Sequence, residues 1–356
     1  MLPPTFGPCF TRFPAVRLTV VATALVVAVL AAALVGCSSG DETVVVYSGR
    51  NEELIQPLID SFTESTGIAV DVRYGDSAEL ALLISEEGEK SPADVFLSQS
   101  PGAMGFLEDQ GMLRALAETP TLDVAAFELV PETVRDADGH WLGISGRQRV
   151  LVYNPTLVAD DELPSSVIEL GDPVWADRVG VAPANGSFQD FVTAMRATAG
   201  DAVTAEWLAA LADNGAVTYP KNSAIVDAVN RGEVDVGLVN HYYNFRAQAE
   251  DPNHVALNHQ FAVGDPGNVL IVTAGAIIGT TEDERRAEEL LAHLLSTESQ
   301  RYFADETFEY PLASGVAPAA VIPPAEFAAV GGIDVENLTG GLEGTRALIL
   351  SAGFDG

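Results

Sequence analysis

Short apolar runs alternate with amphipathic stretches from residue 43 onward. Residues 43–48 form a compact β-branched run. Five apolar residues then recur at helical spacing, namely Leu54, Ile55, Leu58, Ile59 and Phe62. This pattern predicts a strand, a turn and an amphipathic helix that ends at Gly67. The apolar run at 68–74 predicts another strand, so the unit is βαβ and its two strands are parallel.

The same rhythm continues to residue 98 and then changes. A helical stretch at 78–87 leads to an apolar run at 93–98 with a turn at Gln99, which predicts a third strand. Residues 141–153 hold two apolar segments around Gly146-Arg147-Gln148-Arg149 and leave no room for a helix. This long extended segment is predicted to pass from one domain to another.

A second α/β domain is predicted beyond this segment. Its elements are a strand at 178–182, a turn at 185–187, helices at 190–199 and 223–229, and a strand at 234–239. Near the end of the chain, Thr281 is predicted to cap a helix, and residues 301–303 are predicted to open another. A chain of 356 residues exceeds what one core usually supports, so two domains are expected.

The first 36 residues carry the pattern of an export signal. They contain Arg12 and Arg17, no acid, and an apolar run at 18–34. The run ends at Leu34-Val35-Gly36-Cys37, which predicts a signal peptide at 1–36, lipidation of Cys37 and a lipidated tether at 37–43. The alternative, a retained membrane anchor, leaves Cys37 unexplained. The protein is therefore expected to be exported and lipid-anchored on the outer face of the cytoplasmic membrane.

The composition of the chain excludes some kinds of metal site and binding partner. The two cysteines are Cys9, in the signal, and Cys37, so the mature domain has no disulfide and no thiolate metal site. The formal net charge is −33, which argues against a nucleic-acid partner and would attract cations. Adaptation to a salty or acidic habitat explains this charge equally well.

Tyr242 and Tyr243 follow the apolar run at 234–239 closely. Phenolate is an unusual ligand because the pKa of free tyrosine is about 10, so only a strongly Lewis-acidic cation holds it ionised at neutral pH. Ferric iron is such a cation. Both phenols can reach one metal only where the strand gives way to a helix, and residues 241–249 supply that transition. For an isolated pair, packing in a core or on a surface is the alternative.

Six segments, in their order along the chain, resemble the ferric-iron-binding lipoproteins and periplasmic proteins of ABC importers. They lie at 44–48, 92–96, 146–153, 221–223, 232–243 and 308–312. The resemblance extends across nearly the whole mature chain. It implies a periplasmic-binding-protein-like α/β fold with two lobes, each a mixed sheet flanked by helices, joined by crossing hinge strands around an iron-binding cleft.

The resemblance also implies a domain division and partners. Lobe 1 is predicted to comprise residues 44–124, 130–144 and 273–323, and lobe 2 residues 125–129, 145–272 and 324–356. The expected cargo is Fe³⁺ and the expected partners are an ABC permease and its ATPase. A monomer that touches the membrane through its lipid alone is expected.

The family often adds a histidine from the first βα turn and a glutamate from the third, and this chain departs at both. Asn51 and Gln99 occupy the matching positions. Asn51 is also a good N-cap for the first helix, whereas Gln99 can offer an amide oxygen or bind a water or an anion. Tyr242 and Tyr243 are therefore the predicted metal ligands, with Asn51 and Gln99 as further candidates.

A synergistic anion, phosphate or carbonate, is implied by the same resemblance. Two tyrosinates and a monoanion would neutralise Fe³⁺ without any carboxylate. The matching anion-binding positions are small and polar, and a turn before a helix N-terminus favours an anion. They are Ser100, Asn185, Gly186, Ser187, Asn222 and Asn240. Arg147 and Arg149 share one face of an extended segment and could meet the anion, or instead form salt bridges that brace the crossing strands.

Three alternatives remain open. The same fold could bind an organic cargo such as a phosphonate, a thiamine-like cation or a polyamine, with the tyrosines as stacking faces. An exported enzyme is disfavoured because the chain has no Gly-x-Ser-x-Gly, His-Glu-x-x-His or phosphate loop. A role in signalling to a membrane kinase is compatible with the fold.

His241 is expected to point away from the metal, and the other four histidines are interpreted as ordinary polar residues.

Overall fold

The computed structural model describes residues 7, 43–99, 101–116, 128–323 and 341–354. The chain divides into two compact units, Met1–Thr43 and Val44–Gly356. The predicted signal peptide and nearly all of the tether, together with Ser100, lie outside the described residues. Among the helices that are described, none is both long and apolar enough to cross a bilayer.

The described part of the chain forms ten strands and ten α-helices. The strands are β1 (Thr43–Ser48), β2 (Ala69–Tyr74), β3 (Val95–Ser98), β4 (Trp141–Tyr153), β5 (Val179–Val181), β6 (Val217–Thr218), β7 (Val236–Asn240), β8 (Leu257–His259), β9 (Leu270–Ile277) and β10 (Tyr310–Pro311). The helices are α1 (Glu52–Thr66), α2 (Ser77–Glu87), α3 (Pro101–Asp109), α4 (Gly186–Ala199), α5 (Asp201–Asp213), α6 (Asn222–Arg231), α7 (His241–Glu250), α8 (Glu284–Leu294), α9 (Thr297–Asp305) and α10 (Leu342–Ser351).

Helix α1 forms as its apolar spacing predicts. Its buried residues are Leu54, Ile55, Leu58, Ile59 and Phe62. The helix ends at Gly67, which adopts a left-handed conformation with φ of 76° and donates its amide to the carbonyl of Thr63. Glycine suits this position because a left-handed backbone carries no Cβ penalty there.

The sheet is mixed and continuous, with the strand order β2-β1-β3-β9-β4-β7-β5-β6. Strands β1 and β3 are parallel, as are β5 and both of its neighbours. Strand β9 is antiparallel to β3 and β4. The extra strands β8 and β10 both pair with β4. The predicted βαβ organisation is therefore present on both sides of a central antiparallel pair.

Strand β4 passes between separate hydrophobic cores. Trp141, Leu142 and Ile144 belong to the core that β1, β3 and α1 share. Leu151 and Tyr153 belong to a second core with α4 and α5, and Val150 and Val152 to a third with α6. The polar residues between these apolar segments lie where the strand leaves one core and enters the next, so they are available to a site beside the crossing.

Three predicted helix starts were displaced. Helix α4 begins at Gly186 rather than at residue 190, because the Asn185 side chain caps it. Asp283 caps α8, whereas Thr281 donates its hydroxyl to Asp94. Helix α9 begins at Thr297 rather than at residue 301 because Ser296 provides its cap. In each case a short polar side chain satisfies amides of the first turn, which apolar spacing does not indicate.

Candidate metal centre

A cavity of about 880 Å³ lies between α1 on one wall and α6 and α7 on the other. Its lining includes Asn51, Gln99, Asn185 and Tyr243. The charged residues of the lining are mostly acidic. The acidic residues are Glu52, Glu53, Asp60, Asp227 and Glu250, and the basic residues are Lys221 and Arg246. The cavity therefore collects predicted site residues from distant parts of the chain in surroundings that favour a cation.

The two tyrosines lie side by side in the first turn of α7. Their rings stack with centroids 4.1 Å apart and an interplanar angle of 29°. Tyr242 is buried, whereas Tyr243 is half-buried and lines the cavity. The predicted transition from strand to helix is present between β7 and α7, and it places the two rings side by side.

Burial controls the ionisation of Tyr242. It raises the pKa of Tyr242 well above the usual value of a tyrosine, and the neighbouring Tyr243 raises it further. The positive charge of Arg50 acts in the opposite direction. The Tyr242 phenol is therefore protonated at neutral pH, and a cation that binds it must displace that proton.

Asn51 and Gln99 both reach the cavity, where the family often has a histidine and a glutamate. Asn51 is exposed and occupies the N-cap position of α1, but its side chain makes no capping hydrogen bond. Gln99 donates its amide nitrogen to the carbonyl of Gly49 at 2.5 Å. That bond uses the donor end of the amide, so the Gln99 oxygen is the end that can act as an acceptor or a ligand.

Four of the predicted anion-binding residues form one polar network with Arg149. The side-chain oxygen of Asn185 accepts from the hydroxyl of Ser187 at 2.6 Å and from the amide of Asn222 at 3.1 Å. Arg149 donates to the side-chain oxygens of Asn222 at 3.2 Å and Asn240 at 3.3 Å. Gly186 follows Asn185 as the first residue of α4. Sequence positions 149, 185–187, 222 and 240 are therefore neighbours in space, whereas Ser100 lies outside the described residues.

Arg147 and Arg149 are both fully buried but differ in their partners. Arg149 also donates to the carbonyl of Leu238 at 2.8 Å. Arg147 donates one nitrogen to the carbonyl of Gln99, while its Nε and Nη1 have no partner among the described residues. Neither arginine forms an ion pair with a described carboxylate, so the predicted bracing salt bridges are not present in this part of the chain.

Desolvation acts on both guanidinium groups. Burial lowers the pKa of Arg149 to about 9. Burial and the charge of Arg50 lower the pKa of Arg147, and Glu309, Tyr242 and Tyr243 partly offset this effect. Tyr243 and Asp190 partly offset the effect of burial on the pKa of Arg149. Because neither guanidinium forms an ion pair with a described carboxylate, burying both is costly, and an anion placed beside them would relieve that cost.

Sequence reasoning missed an ion pair beside the tyrosines. Arg50 donates one nitrogen to both carboxylate oxygens of Glu309, at 2.8 and 2.9 Å. Ser145 donates its hydroxyl to the same carboxylate at 2.8 Å. Arg50 adjoins Asn51, and Glu309 lies within the segment 308–312 that resembles the family, so both residues could have been suspected. Their pairing could not, because it joins positions 259 residues apart.

His241 is buried, and it contacts strand β4 and neighbouring aromatic rings rather than lining the cavity. Its Nδ1 accepts the backbone amide of Gln148 at 3.1 Å, which places the ring proton on Nε2. Its ring stacks on Tyr310 with centroids 4.8 Å apart and meets Tyr242 edge-on at 6.3 Å. Burial lowers the pKa of His241 to about 3, so the imidazole is neutral at pH 7.

A second group of polar side chains lies outside the cavity lining. His140 contacts Glu108 at 2.9 Å and Asp136 at 3.4 Å, so three potential ligand atoms converge. Burial raises the pKa of Glu108, and His140 acts against that rise. Because the backbone amide of His140 also donates to Asp136 at 2.8 Å, this group joins α3 to the turn before β4 through its own hydrogen bonds.

The structure therefore has a mixed α/β sheet whose strand β4 crosses between cores beside a polar cavity. The chain belongs to the family of bacterial extracellular solute-binding proteins, which its residues 90–331 match. The Fe(3+)-binding periplasmic protein of Serratia marcescens is 34% identical over 284 residues, which cover 79% of this chain and 82% of that protein.

Solved structures show the same fold. Iron-bound HitA from Pseudomonas aeruginosa superposes with a TM-score of 0.80 at 30% identity, covering 87% of this chain and 99% of that chain. The Trichodesmium protein IdiA (FutA), in complex with iron and citrate ligands, superposes with a TM-score of 0.72 at 25% identity, covering 88% of this chain and 100% of that chain. These similarities confirm the predicted two-lobed α/β fold and the predicted family.

Proposed function

We propose that this protein is an exported lipoprotein that captures ferric iron with a synergistic anion and delivers it to an ABC permease and its ATPase. The observation that carries the proposal is the stacked pair Tyr242 and Tyr243, of which Tyr243 lines the cavity. Relatives named as ferric-iron-binding proteins support the same cargo. No enzymatic step is part of this proposal.

Tyr242 and Tyr243 would supply the anionic metal ligands. Ferric iron is acidic enough to displace a phenolic proton even where burial has raised the pKa of the phenol. Gln99 and Asn51, on the opposite side of the cavity, would add neutral oxygen ligands or bind water. The protein's charged hold on iron would therefore come mainly from the tyrosines.

An anion would complete the site. Arg147, with two unpartnered nitrogens within the described residues, and the network of Asn185, Ser187 and Asn222 around Arg149 would hold it. Iron with two phenolates keeps one net positive charge, and Arg147 and Arg149 add more. Arg50 does not enter this count because Glu309 balances its charge. A dianion such as carbonate or hydrogen phosphate therefore suits the site better than a monoanion.

Delivery would follow from differential affinity of two states of the protein. Two lobes would close around iron by bending at the crossing strands. Their predicted bounds are 44–124, 130–144 and 273–323 for lobe 1, and 125–129, 145–272 and 324–356 for lobe 2. Lipidation at Cys37 would keep the protein, as a monomer, near its permease on the outer face of the cytoplasmic membrane.

The test is spectroscopic. Purified protein given ferric citrate and bicarbonate should develop a visible tyrosinate-to-iron charge-transfer band, and the double variant Tyr242→Phe, Tyr243→Phe should not. Tyr219→Phe is a matched control, because Tyr219 packs against the same core as Tyr243 but does not line the cavity. A wild-type protein that stays colourless with ferric iron in the presence of carbonate and of phosphate contradicts the proposal.

The size and charge of the cavity favour one alternative, an organic cation. About 880 Å³ is room for a whole small molecule rather than a single ion. Tyr243 with five acidic side chains would suit a polyamine or a thiamine-like cation better than a phosphonate. A thermal-shift screen in which such a cation stabilises the protein and ferric iron does not would select this function.

A further inference from the structure

One edge of strand β4 has a gap between two partner strands. Strand β10 pairs with it at Ser145 and Gly146. Strand β7 pairs with it from Arg149 to Tyr153. The amide of Arg149 donates to Val269, beside β9, so the amide of Gln148 faces the opposite edge because successive strand amides alternate in direction. Gln148 therefore presents its N–H at the gap.

The imidazole of His241 fills this gap. Asn240 pairs with Arg149, so His241 would pair next with Gln148 if β7 continued. Instead the chain turns into α7 at His241, and the backbone carbonyl of His241 accepts from the side chain of Asn258 at 2.9 Å. Its Nδ1 replaces that carbonyl as the acceptor for the Gln148 amide, at 3.1 Å.

The same ring also contacts the neighbouring strand β10 and Tyr242. One face stacks on Tyr310 of β10 at 4.8 Å, and the ring meets Tyr242 at 84°. The Tyr310 hydroxyl lies 3.2 Å from the side-chain oxygen of Gln148. A single buried side chain thus contacts β4, β10 and the first turn of α7.

We infer that His241 is a positioning residue for the tyrosine pair, because its imidazole closes the gap in the β4 ladder and thereby holds the first turn of α7 against the strand that crosses between the cores. The expected effect of His241 on iron affinity rests on the proposed function. An unsatisfied buried amide at Gln148 would cost free energy, so without this acceptor the start of α7 and the phenols would shift.

Two polar variants separate the acceptor from the ring. In His241→Asn the side-chain oxygen can lie near the position of Nδ1 and accept the Gln148 amide, whereas His241→Gln places its amide group near the position of Nε2. Both lose the stacking on Tyr310, so they differ in the acceptor. His241→Phe keeps a ring and removes the acceptor.

The inference predicts an ordered series of ferric-iron affinities measured by competition with citrate. His241→Gln should weaken iron binding about 10- to 100-fold, the range for groups that orient metal ligands, and shift the charge-transfer maximum. His241→Asn should stay closer to the wild type than His241→Gln, and His241→Phe should resemble His241→Gln. Equal affinity and an unshifted band in all four proteins would overturn the inference.

Iron-free measurements decide the inference even if the proposed function fails. The Gln148 amide should be protected from hydrogen exchange in the wild type and in His241→Asn, and should exchange faster in His241→Gln. The near-ultraviolet circular dichroism of the tyrosines should change in the same order. A wild type that takes up no iron would refute the proposed function alone, whereas an equally protected Gln148 amide in all variants would refute the positioning role.

Discussion

Arg50 and Glu309 form a buried ion pair in which one guanidinium nitrogen contacts both carboxylate oxygens, at 2.8 and 2.9 Å. The pair connects the turn between β1 and α1 to the segment just before β10. Ser145, on the crossing strand β4, donates to the same carboxylate. Glu309 thus balances one of the three buried arginines beside the tyrosines. Among the described residues, Arg147 has two unpartnered nitrogens, whereas Arg50 and Arg149 each have one.

Removing Glu309 should destabilise the fold strongly. Glu309→Leu leaves Arg50 charged and unpaired in the core, so we expect the free energy of unfolding in urea to fall by about 3–5 kcal/mol. The double variant Arg50→Met, Glu309→Leu should recover most of that loss because it removes both charges. Glu233→Leu, which breaks an ion pair with Arg231 at the surface, is the control and should leave the unfolding midpoint unchanged. A Glu309→Leu protein as stable as the wild type would contradict the assignment of a buried charge pair.

Substitutions of Arg147 and Arg149 should affect anion binding and stability differently. Arg147→Met removes a buried cation that has two unpartnered nitrogens within the described residues and one hydrogen bond, to the carbonyl of Gln99. The thermal midpoint of the iron-free protein should therefore fall less than in Arg149→Met, while the gain in iron binding on adding bicarbonate should disappear. Arg149→Met strands the oxygens of Asn222, Asn240 and Leu238, and should cost about 2 kcal/mol or more of unfolding free energy. Undiminished dependence on bicarbonate in Arg147→Met would remove Arg147 from the anion site.

Gln99→Glu should restore a charged ligand to the third βα turn. A carboxylate near a trivalent cation at low effective dielectric should strengthen iron binding by about tenfold or more and reduce its dependence on added anion. Gln56→Glu is a matched control, since Gln56 lines the same cavity from α1 and the variant adds the same charge. Equal effects of the two substitutions on iron affinity would mean that only the overall charge of the cavity matters, not a ligand at position 99.

The neutral buried state of His241 predicts a loss of iron-free stability in acid. The pKa of His241 is about 3 in the folded protein and about 6.5 in the unfolded chain, so between these values the unfolded state binds more protons. Its contribution is complete above pH 6.5 and falls as the pH decreases toward 3, by at most about 1.4 kcal/mol per pH unit. The difference in unfolding free energy between the wild type and His241→Asn, measured by urea titration from pH 7.5 to 4.5, isolates this effect from carboxylates elsewhere. A difference that stays constant over that range would mean that the pKa of His241 is the same in the folded protein and in the unfolded chain.

Several strands and helices from residue 43 onward follow directly from local pattern. The five buried residues of α1 and its end at Gly67 match their prediction, and β4 spans the predicted residues 141–153. Helix α1 has strong apolar periodicity and a glycine at its end, and the two apolar segments of β4 leave no room for a helix between them. The starts of α4, α8 and α9 were missed because single capping side chains decide them.

The sequence by itself determined the βα alternation, the long extended segment at 141–153 and the tyrosine pair after a strand, since each depends on neighbours along the chain. Only the tertiary structure decided which of these meet. It placed Asn185, Ser187 and Asn222 in one network with Arg149, paired Arg50 with Glu309, and set His241 in the gap of the β4 ladder. The physical reason is that burial and pairing of charges depend on contacts between residues far apart in the chain, which no local pattern of apolar and polar positions encodes.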